Sequence, residues 1–450
     1  MGRLFGTDGI RGVAGEYPLD YPTVYSLGRQ LTRLLKTRTA APRILIGRDT
    51  RASGVWLEKI LARSISDEGG QPLCAGIMTT PAISLLTRRN QHDAGIVISA
   101  SHNPYRDNGI KLFAANGMKL TDAEETLLET SLADGAPPPD RDEPSPDVAE
   151  LIRHDNDFFE QYCTFLSGIL DGRRMEGLRI VVDCGHGAAF QAAPEVLSRL
   201  GADVVALNNQ PDGYNINRDC GSLHPEEMAA TAVREKADLG VAFDGDADRS
   251  ILCDGRGRLV DGDHILYLLG KHRNLQGRLN RSRVVSTLMA NLGLEVALER
   301  EGISLARTKV GDRYVLEEML SSGCNLGGEQ SGHIILLDDS VTGDGILTVL
   351  QILDLMKTSG KSLADLYVGF EKFPQVLLNI SVRNRIPLEE IPQVRDEIGR
   401  VTGELGRSGR VVVRYSGTEP IVRIMVEGDS DERIRDYAHQ IASTIQTSIG

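Results

Sequence analysis

Aromatic residues are scarce in this chain, 5% of the total with Trp56 the sole tryptophan, so its cores have to be built from aliphatic side chains. No stretch approaches the ~18 consecutive apolar residues of a membrane span. The opening Met1-Gly-Arg-Leu-Phe-Gly-Thr-Asp-Gly likewise lacks the apolar centre of a signal peptide. The six cysteines (Cys74, Cys163, Cys184, Cys220, Cys253, Cys324) lie far apart, with no Cys-x-x-Cys pair. Scattered thiols of that kind suit a reducing, cytoplasmic compartment and argue against a disulfide framework. Positive charge is in deficit, since 50 Lys+Arg against 63 Asp+Glu leave a net −13. That balance repels nucleic acid and anionic membrane surfaces, and excludes both as the main partner.

Glycine, by contrast, is abundant, 48 of 450 residues, above the usual ~7%. Hydrophobic residues at 41% and charged residues at 25% are ordinary for a globular protein, and the length suits about three domains of ~150 residues. An acidic, glycine-rich, multidomain chain of this kind is expected to be an enzyme with many functional turns.

Short aliphatic runs recur, each ending in a polar, glycine-bearing loop: Arg43-Ile-Leu-Ile-Gly-Arg-Asp, Ala94-Gly-Ile-Val-Ile-Ser-Ala-Ser, Leu178-Arg-Ile-Val-Val-Asp-Cys-Gly, Asp238-Leu-Gly-Val-Ala-Phe-Asp-Gly and Arg283-Val-Val-Ser-Thr-Leu. Consecutive apolar residues over that length predict strands buried on both faces. Between them, Val24, Leu27, Leu31 and Leu34 share one helical face, and Leu57, Ile60, Leu61 and Ile65 share another, with Ser53 as its expected N-cap. The alternation predicts α/β units with mainly parallel sheets, whose ligand loops lie at the carboxyl ends of strands. Gly135 to Asp147 reads as a linker, and glycines cluster again between Asp254 and Asp263. After Lys361 the pattern becomes alternating, as in Pro374-Gln-Val-Leu-Leu-Asn-Ile-Ser-Val, Val411-Val-Val-Arg-Tyr and Ile421-Val-Arg-Ile-Met-Val. Alternation predicts antiparallel strands and a separate α+β domain at the C-terminal end.

Five loops carry chemistry. Asp244-Gly-Asp-Ala-Asp-Arg249 follows a predicted buried strand. Its three carboxylates repel one another unless a cation joins them, and all-oxygen ligands favour Mg²⁺. It is not an EF-hand, because the sixth residue is Arg249 and the twelfth Gly255. Ala100-Ser101-His102-Asn103-Pro104 puts a serine at a strand end, as a nucleophile, a phosphate carrier or an ordinary capping turn. It lacks the Gly-x-Ser-x-Gly elbow, and in extended backbone His102 points away from Ser101. Arg414-Tyr-Ser-Gly-Thr-Glu-Pro420, with Arg423, reads as an anion nest or as a hairpin turn. Gly327-Gly-Glu-Gln-Ser-Gly-His333 combines a carboxylate, an amide, a hydroxyl and an imidazole, a mixture suited to sugar hydroxyls and equally found in polar surface loops. Phe5-Gly-Thr-Asp-Gly-Ile-Arg-Gly12 places Arg11 among three glycines. The dinucleotide and P-loop patterns both fail, at Gly185 to Phe190 and at Gly360-Lys-Ser.

Together these loops resemble those of the α-D-phosphohexomutase superfamily over essentially the whole chain, in the family's order and spacing. The opening Phe5 to Gly12, and Gln330 where relatives acting on mannose or glucose phosphates usually have Met, resemble the branch acting on glucosamine phosphates. The resemblance implies four domains around a central cleft: 1–150 with a phosphoserine loop, 151–254 with a metal loop, 255–368 with a sugar loop, and an α+β domain, 369–450, with a phosphate loop. It implies that Ser101 is carried as phosphoserine, which activity requires. One Mg²⁺ would be held by Asp244, Asp246, Asp248 and an oxygen on Ser101. Arg11, Lys111 (in Asn108-Gly-Ile-Lys) and Arg249 would flank the reacting centre, with Lys111 a general acid/base. Glu329, Ser331 and His333 would hold the sugar; Arg414, Ser416, Gly417, Thr418 and Arg423 would grip the phosphate that does not react. Asp312-Arg-Tyr and Thr342-Gly-Asp-Gly are expected at the same site.

The implied activity is interconversion of glucosamine 6-phosphate and glucosamine 1-phosphate through a bisphosphate, feeding UDP-N-acetylglucosamine synthesis. The partner is then a small sugar phosphate, with no nucleic acid and no membrane, in a cytoplasmic protein that could be a homodimer. Mannose or glucose phosphate mutation, or a Mg²⁺-dependent sugar-phosphate phosphatase working through Ser101, are the alternatives. A non-catalytic sensor is a third; against it, binding alone does not require a metal loop paired with a serine loop.

Overall fold

The computed structural model describes residues 4–6, 8–133, 156–383, 385–416 and 421–449. The linker-like stretch from Gly135 to Asp147, and Gly417 and Thr418, lie outside the described residues.

In the first unit β1 (Ile10–Val13), β2 (Arg43–Arg48), β3 (Gln71–Ile77), β4 (Ala94–Ile98) and β5 (Asp107–Ala114) form a sheet in the order β1-β5-β4-β2-β3. Strand β2 is parallel to β3 and β4, whereas β5 runs antiparallel to β4 and β1. The second unit has β6 (Arg179–Asp183), β7 (Asp203–Leu207), β8 (Leu239–Phe243), β9 (Ser250–Asp254) and β10 (Leu259–Val260), ordered β10-β9-β8-β6-β7. Here β6 is parallel to β7 and β8, and β9 turns back antiparallel to β8. The third unit repeats the path with β11 (Arg283–Thr287), β12 (Ser304–Thr308), β13 (Leu326–Gly328) and β14 (Ile334–Leu336), ordered β12-β11-β13-β14.

One path is therefore drawn three times: a central strand, a parallel neighbour outside it, a parallel neighbour on its other side, then a hairpin back. The parallel expectation holds for the first three strands of each path; the fourth makes each sheet mixed. That fourth strand matters, because its hairpin loops are equivalent positions. They hold Ser101 between β4 and β5, Asp244 to Arg249 between β8 and β9, and Glu329 to His333 between β13 and β14.

Strands β4 and β8 are buried along their whole length, as consecutive apolar residues require. Full burial of each Ile or Val there stabilises the sheet by about 1.5–3 kcal/mol. Helices are started by side chains accepting backbone N–H groups, Asp20 from Thr23 at 3.0 Å and Asp344 from Leu347 at 3.0 Å. Ser53 is not such a cap: it lies inside the helix Ala52–Asp67, and its hydroxyl accepts from Asn108 Nδ2 at 2.9 Å. A single hydrophobic core runs from Leu45 and Met78 through Leu166 and Val241 to Leu294 and Leu350, so the first three units pack as one body. The fourth has its own core, including Val394, Val422, Ile434 and Ile445, under β15 (Gln375–Ser381), β16 (Gly409–Tyr415) and β17 (Ile421–Gly428). These strands are all antiparallel, ordered β15-β17-β16, as their alternating sequence predicts.

Candidate active site

The three equivalent hairpin loops converge. Strand β4 delivers Ser101 into a buried turn, 1% exposed, with its backbone in the left-handed region at φ 51°. Its hydroxyl donates to Asp244 Oδ2 at 2.6 Å. The loop is clamped from both sides. Arg51, fully buried, donates to the carbonyls of Ser101 (3.2 Å) and Asn103 (2.6 Å), and Asn217 of the second unit donates to the same two carbonyls at 2.9 and 3.1 Å. A Cβ at Gly245 would lie 2.5 Å from the Ser101 carbonyl, so only glycine lets the serine and metal loops touch there.

Asp244, Asp246 and Asp248 are all buried, with carboxylate oxygens within 4.8 Å of one another, and among the described residues they alone form such a group. Asp246 Oδ1 and Asp248 Oδ1 have no hydrogen-bond partner. Buried, orphaned carboxylate oxygens facing one another are the donor set of a hard cation, so the residues fit a metal with oxygen ligands. Lys111 holds part of that charge: its Nζ lies 2.8 Å from Asp246, 3.1 Å from Asp8 and 3.5 Å from Asp248. Burial disfavours the ammonium, but Asp246 and Asp8 outweigh it and hold Lys111 protonated, well above the usual lysine value. Burial likewise acts to raise Asp246, and Lys111 outweighs it, leaving its carboxyl well below the usual range. Asp244 goes the opposite way, pushed up by burial and then by Asp248 and Asp246.

His102 does not point away. The left-handed turn at Ser101 swings it round, so that Nδ1 lies 3.3 Å from Ser101 Oγ and 3.1 Å from Arg249 Nη1. Arginine can only donate, so Nδ1 is its acceptor, and Ser101 gives its proton to Asp244 instead. Burial, then Arg249 and Arg11, lower the imidazole to about 4. His102 is therefore neutral near pH 7 but not placed as a base for Ser101.

A cavity of about 490 Å³ opens beside this cluster, lined by Asp8, Arg11, His102, Asp248, Arg249, Asp312, Glu329 and His333 among others. Arg11 bonds Asp8 at 2.6 Å. Glu329 accepts the Gly311 N–H at 3.1 Å, and Ser331 lies within 3.4 Å of its other oxygen. His333 is buried beside Asp312 at 3.6 Å, both ring nitrogens without a hydrogen-bond partner. The Thr342 to Gly345 segment serves as backing: Gly345 N–H donates to Ala247 O at 2.9 Å, and Asp344 caps its helix while accepting from Tyr162 at 3.0 Å. Arg414 and Arg423 face each other across β16 and β17, and Ser416 is buried at the strand end. Burial, then Arg423, lowers Arg414, as expected of two neighbouring cations. None of the three lines the cavity.

Asp8, Lys119, Arg51 and Asn217 escaped the residue-by-residue reading. Lys119 bridges Asp8 of the first unit and Asp312 of the third, the latter at 2.6 Å. The polar run after β2, Arg48-Asp-Thr-Arg51, was the one local signal for the Arg51 clamp; a lone Lys119 or Asn217 carries none.

Four family models match in chain order. They are phosphoglucomutase/phosphomannomutase alpha/beta/alpha domain I over 2–137, domain II over 160–257, domain III over 261–373 and the C-terminal domain over 377–444. A phosphoglucosamine mutase from Syntrophobacter fumaroxidans is 46% identical over 456 residues, covering 100% of both chains. A phosphoglucomutase/phosphomannomutase family protein from Burkholderia thailandensis has a solved structure that superposes with a TM-score of 0.79 at 21% identity, covering 99% of this chain and 97% of that one. N-acetylphosphoglucosamine mutase from Aspergillus fumigatus, solved with GlcNAc-6P and magnesium, gives 0.68 at 18% identity, over 99% and 96%. At these identities the two structures speak to the fold.

Proposed function

The chain belongs to the phosphoglucomutase/phosphomannomutase family, and from that premise we propose that it is an isomerase interconverting glucosamine 6-phosphate and glucosamine 1-phosphate in the cytoplasm. The observation that carries the reading is the contact of Ser101 with the acidic triad, 2.6 Å to Asp244, beside a cavity lined by Asp248 of that triad and by Glu329. A phosphatase or sensor has no need of a sugar loop able to accept the sugar in two orientations; a mutase does.

Ser101, as phosphoserine, passes its phosphoryl group to the free hydroxyl of the substrate, and the bisphosphate turns over before returning its other phosphoryl group to Ser101 Oγ. Phosphoryl transfer asks for positioning and charge stabilisation more than covalent help. Arg51 and Asn217 hold the serine loop in its left-handed turn. Asp244, Asp246 and Asp248, with an oxygen on Ser101, would hold one Mg²⁺, which when bound spreads the charge developing on the transferred group. Lys111 is the acid/base, resting as the acid because carboxylates surround it. Arg11 and Arg249 stabilise the phosphoryl oxygens, and Glu329, Ser331 and His333 bind the sugar. The domains 1–150, 151–254, 255–368 and 369–450 supply one loop each, the last bringing Arg414, Ser416, Gly417, Thr418 and Arg423 to the distal phosphate.

Phosphorus NMR of glucosamine 6-phosphate with Mg²⁺ and the protein tests this. Appearance of the 1-phosphate is expected; inorganic phosphate alone would make it a phosphatase. A higher kcat/KM for mannose or glucose phosphate would move the substrate to the other branches.

A further inference from the structure

Gln330 does not stand free in its loop. Its Nε2 donates to Asp263 Oδ2 at 3.0 Å, and the same oxygen accepts the Asn291 N–H at 3.0 Å. Asp263 is fully buried in the helix Gly262–Leu275, its other oxygen without a hydrogen-bond partner. The neighbouring Gly262 N–H donates to Gln330 O at 3.1 Å, and a Cβ there would fall 1.9 Å from Glu329 O, so helix and loop meet backbone to backbone.

From Asp263 the chain of bonds runs into the fourth unit. The Asn291 side chain accepts from Phe373 N–H at 2.9 Å, and its Nδ2 donates to Phe373 O at 3.0 Å and to Glu427 Oε1 at 3.2 Å. Phe373 leads into β15, and Glu427, fully buried on β17, also binds Arg410 at 2.6 Å and Gln375 at 2.9 Å. Arg410 returns to the Leu288 and Ala290 carbonyls at 3.0 and 2.8 Å.

We propose that Asp263 and Asn291 are positioning residues that tie the seat of the fourth unit to the conformation of the Glu329–His333 loop. Rotation of the fourth unit about Phe373 has to stretch or re-form bonds to Asn291, and Asn291 shares its acceptor with Gln330. The catalytic consequence rests on the reading of that loop as the sugar loop; the mechanical tie does not. Coupling is an energy shared by two sites, so single and double variants are measured together.

The test uses the full chain and five variants: Gln330→Ala, Asn291→Ser, their double, Asp263→Ala and Asp263→Asn. Serine at 291 can still cap the helix Leu292–Arg300 but cannot reach Phe373 and Glu427 together. Asparagine at 263 keeps one oxygen for both donors. Hydrogen–deuterium exchange is expected to rise at 329–333 in Asn291→Ser as well as at 373–377. In kcat/KM the Gln330 and Asn291 changes should depart from additivity by about threefold or more. Asp263→Ala should raise KM and loosen both segments, and Asp263→Asn should recover most of that loss. Unchanged exchange at 329–333 in both Asn291→Ser and Asp263→Ala, or strictly additive effects, would overturn the tie. A chain without mutase activity would sink the proposed function and leave the exchange pattern to decide the tie.

Discussion

Lys111→Met removes the ammonium around which Asp246, Asp8 and Asp248 close at 2.8, 3.1 and 3.5 Å, and keeps an apolar stem of similar length. At an effective dielectric of about 20 each such pair is worth about 5 kcal/mol. Burying the ammonium opposes this by several kcal/mol. Lys111 is 1% exposed and Asp246 0%, so water cannot replace the lost charge. Removing one partner of a buried pair then costs about 3–5 kcal/mol. A divalent cation at the triad should offset much of this, since binding at about 100 times its Kd contributes about 2.7 kcal/mol. Loss of the competing ammonium should also strengthen the site's affinity for that cation. The assay is urea unfolding in chelator and in a Mg²⁺ series, reading the first transition because a chain of several units need not unfold in one step. The variant should unfold at lower urea in chelator and recover more than wild type as Mg²⁺ is added. A variant as stable as wild type in chelator, or one indifferent to Mg²⁺, would refute the account of Asp246 and Asp248 shared between a lysine and a cation.

Ser101→Ala should abolish turnover, and intact mass with peptide mapping should find phosphate on Ser101 of the wild type only; full activity in the variant ends the phosphoserine reading. Asp246→Asn removes one ligand charge and should lower kcat by well over ~10²-fold; an unchanged rate and metal affinity would contradict the triad's role. Asn217→Ala leaves the Ser101 and Asn103 carbonyls to Arg51 alone, and should lower kcat about tenfold with little change in KM; a KM effect alone would show that the clamp acts on binding. Far from the cleft, burial and then Arg43 lower His92 to about 4 from an ordinary 6.5, and both its ring nitrogens lack a hydrogen-bond partner. The unfolded chain takes up that proton first, so His92 subtracts stability as the pH falls from 6.5 towards 4 and none above that window. His92→Phe, beside Phe158, should therefore gain more stability at pH 4.5 than at pH 8, and equal changes at both would disprove it.

The serine and metal loops were legible because each is a contiguous string that follows a buried apolar run, and the sugar loop because its polar groups are contiguous in sequence. The Ser101–His102 geometry was not. Its sign depended on one left-handed residue, held there by the Arg51 and Asn217 clamp together with bonds to Ser99 and Asp244. Gln330 was readable as a substrate signal, yet its amide is engaged by Asp263, 67 residues away in sequence. Asp8 sat within a glycine-rich motif that drew attention to its neighbour Arg11, while its other partners, Lys111 and Lys119, are more than a hundred residues distant.

Composition, periodicity and motif order by themselves determined the family, the α/β units with their antiparallel α+β end, and the aliphatic cores, because these follow from interactions between near neighbours along the chain. Tertiary structure decided which charges neutralise which. Burial makes a carboxylate's protonation depend on whatever lies within a few ångströms, and the packing of the first unit against the second unit's hairpin is what brings Lys111, Asp8 and the triad that close. The net charge of −13 describes the whole surface; the sign of the field in the cleft is set by packing.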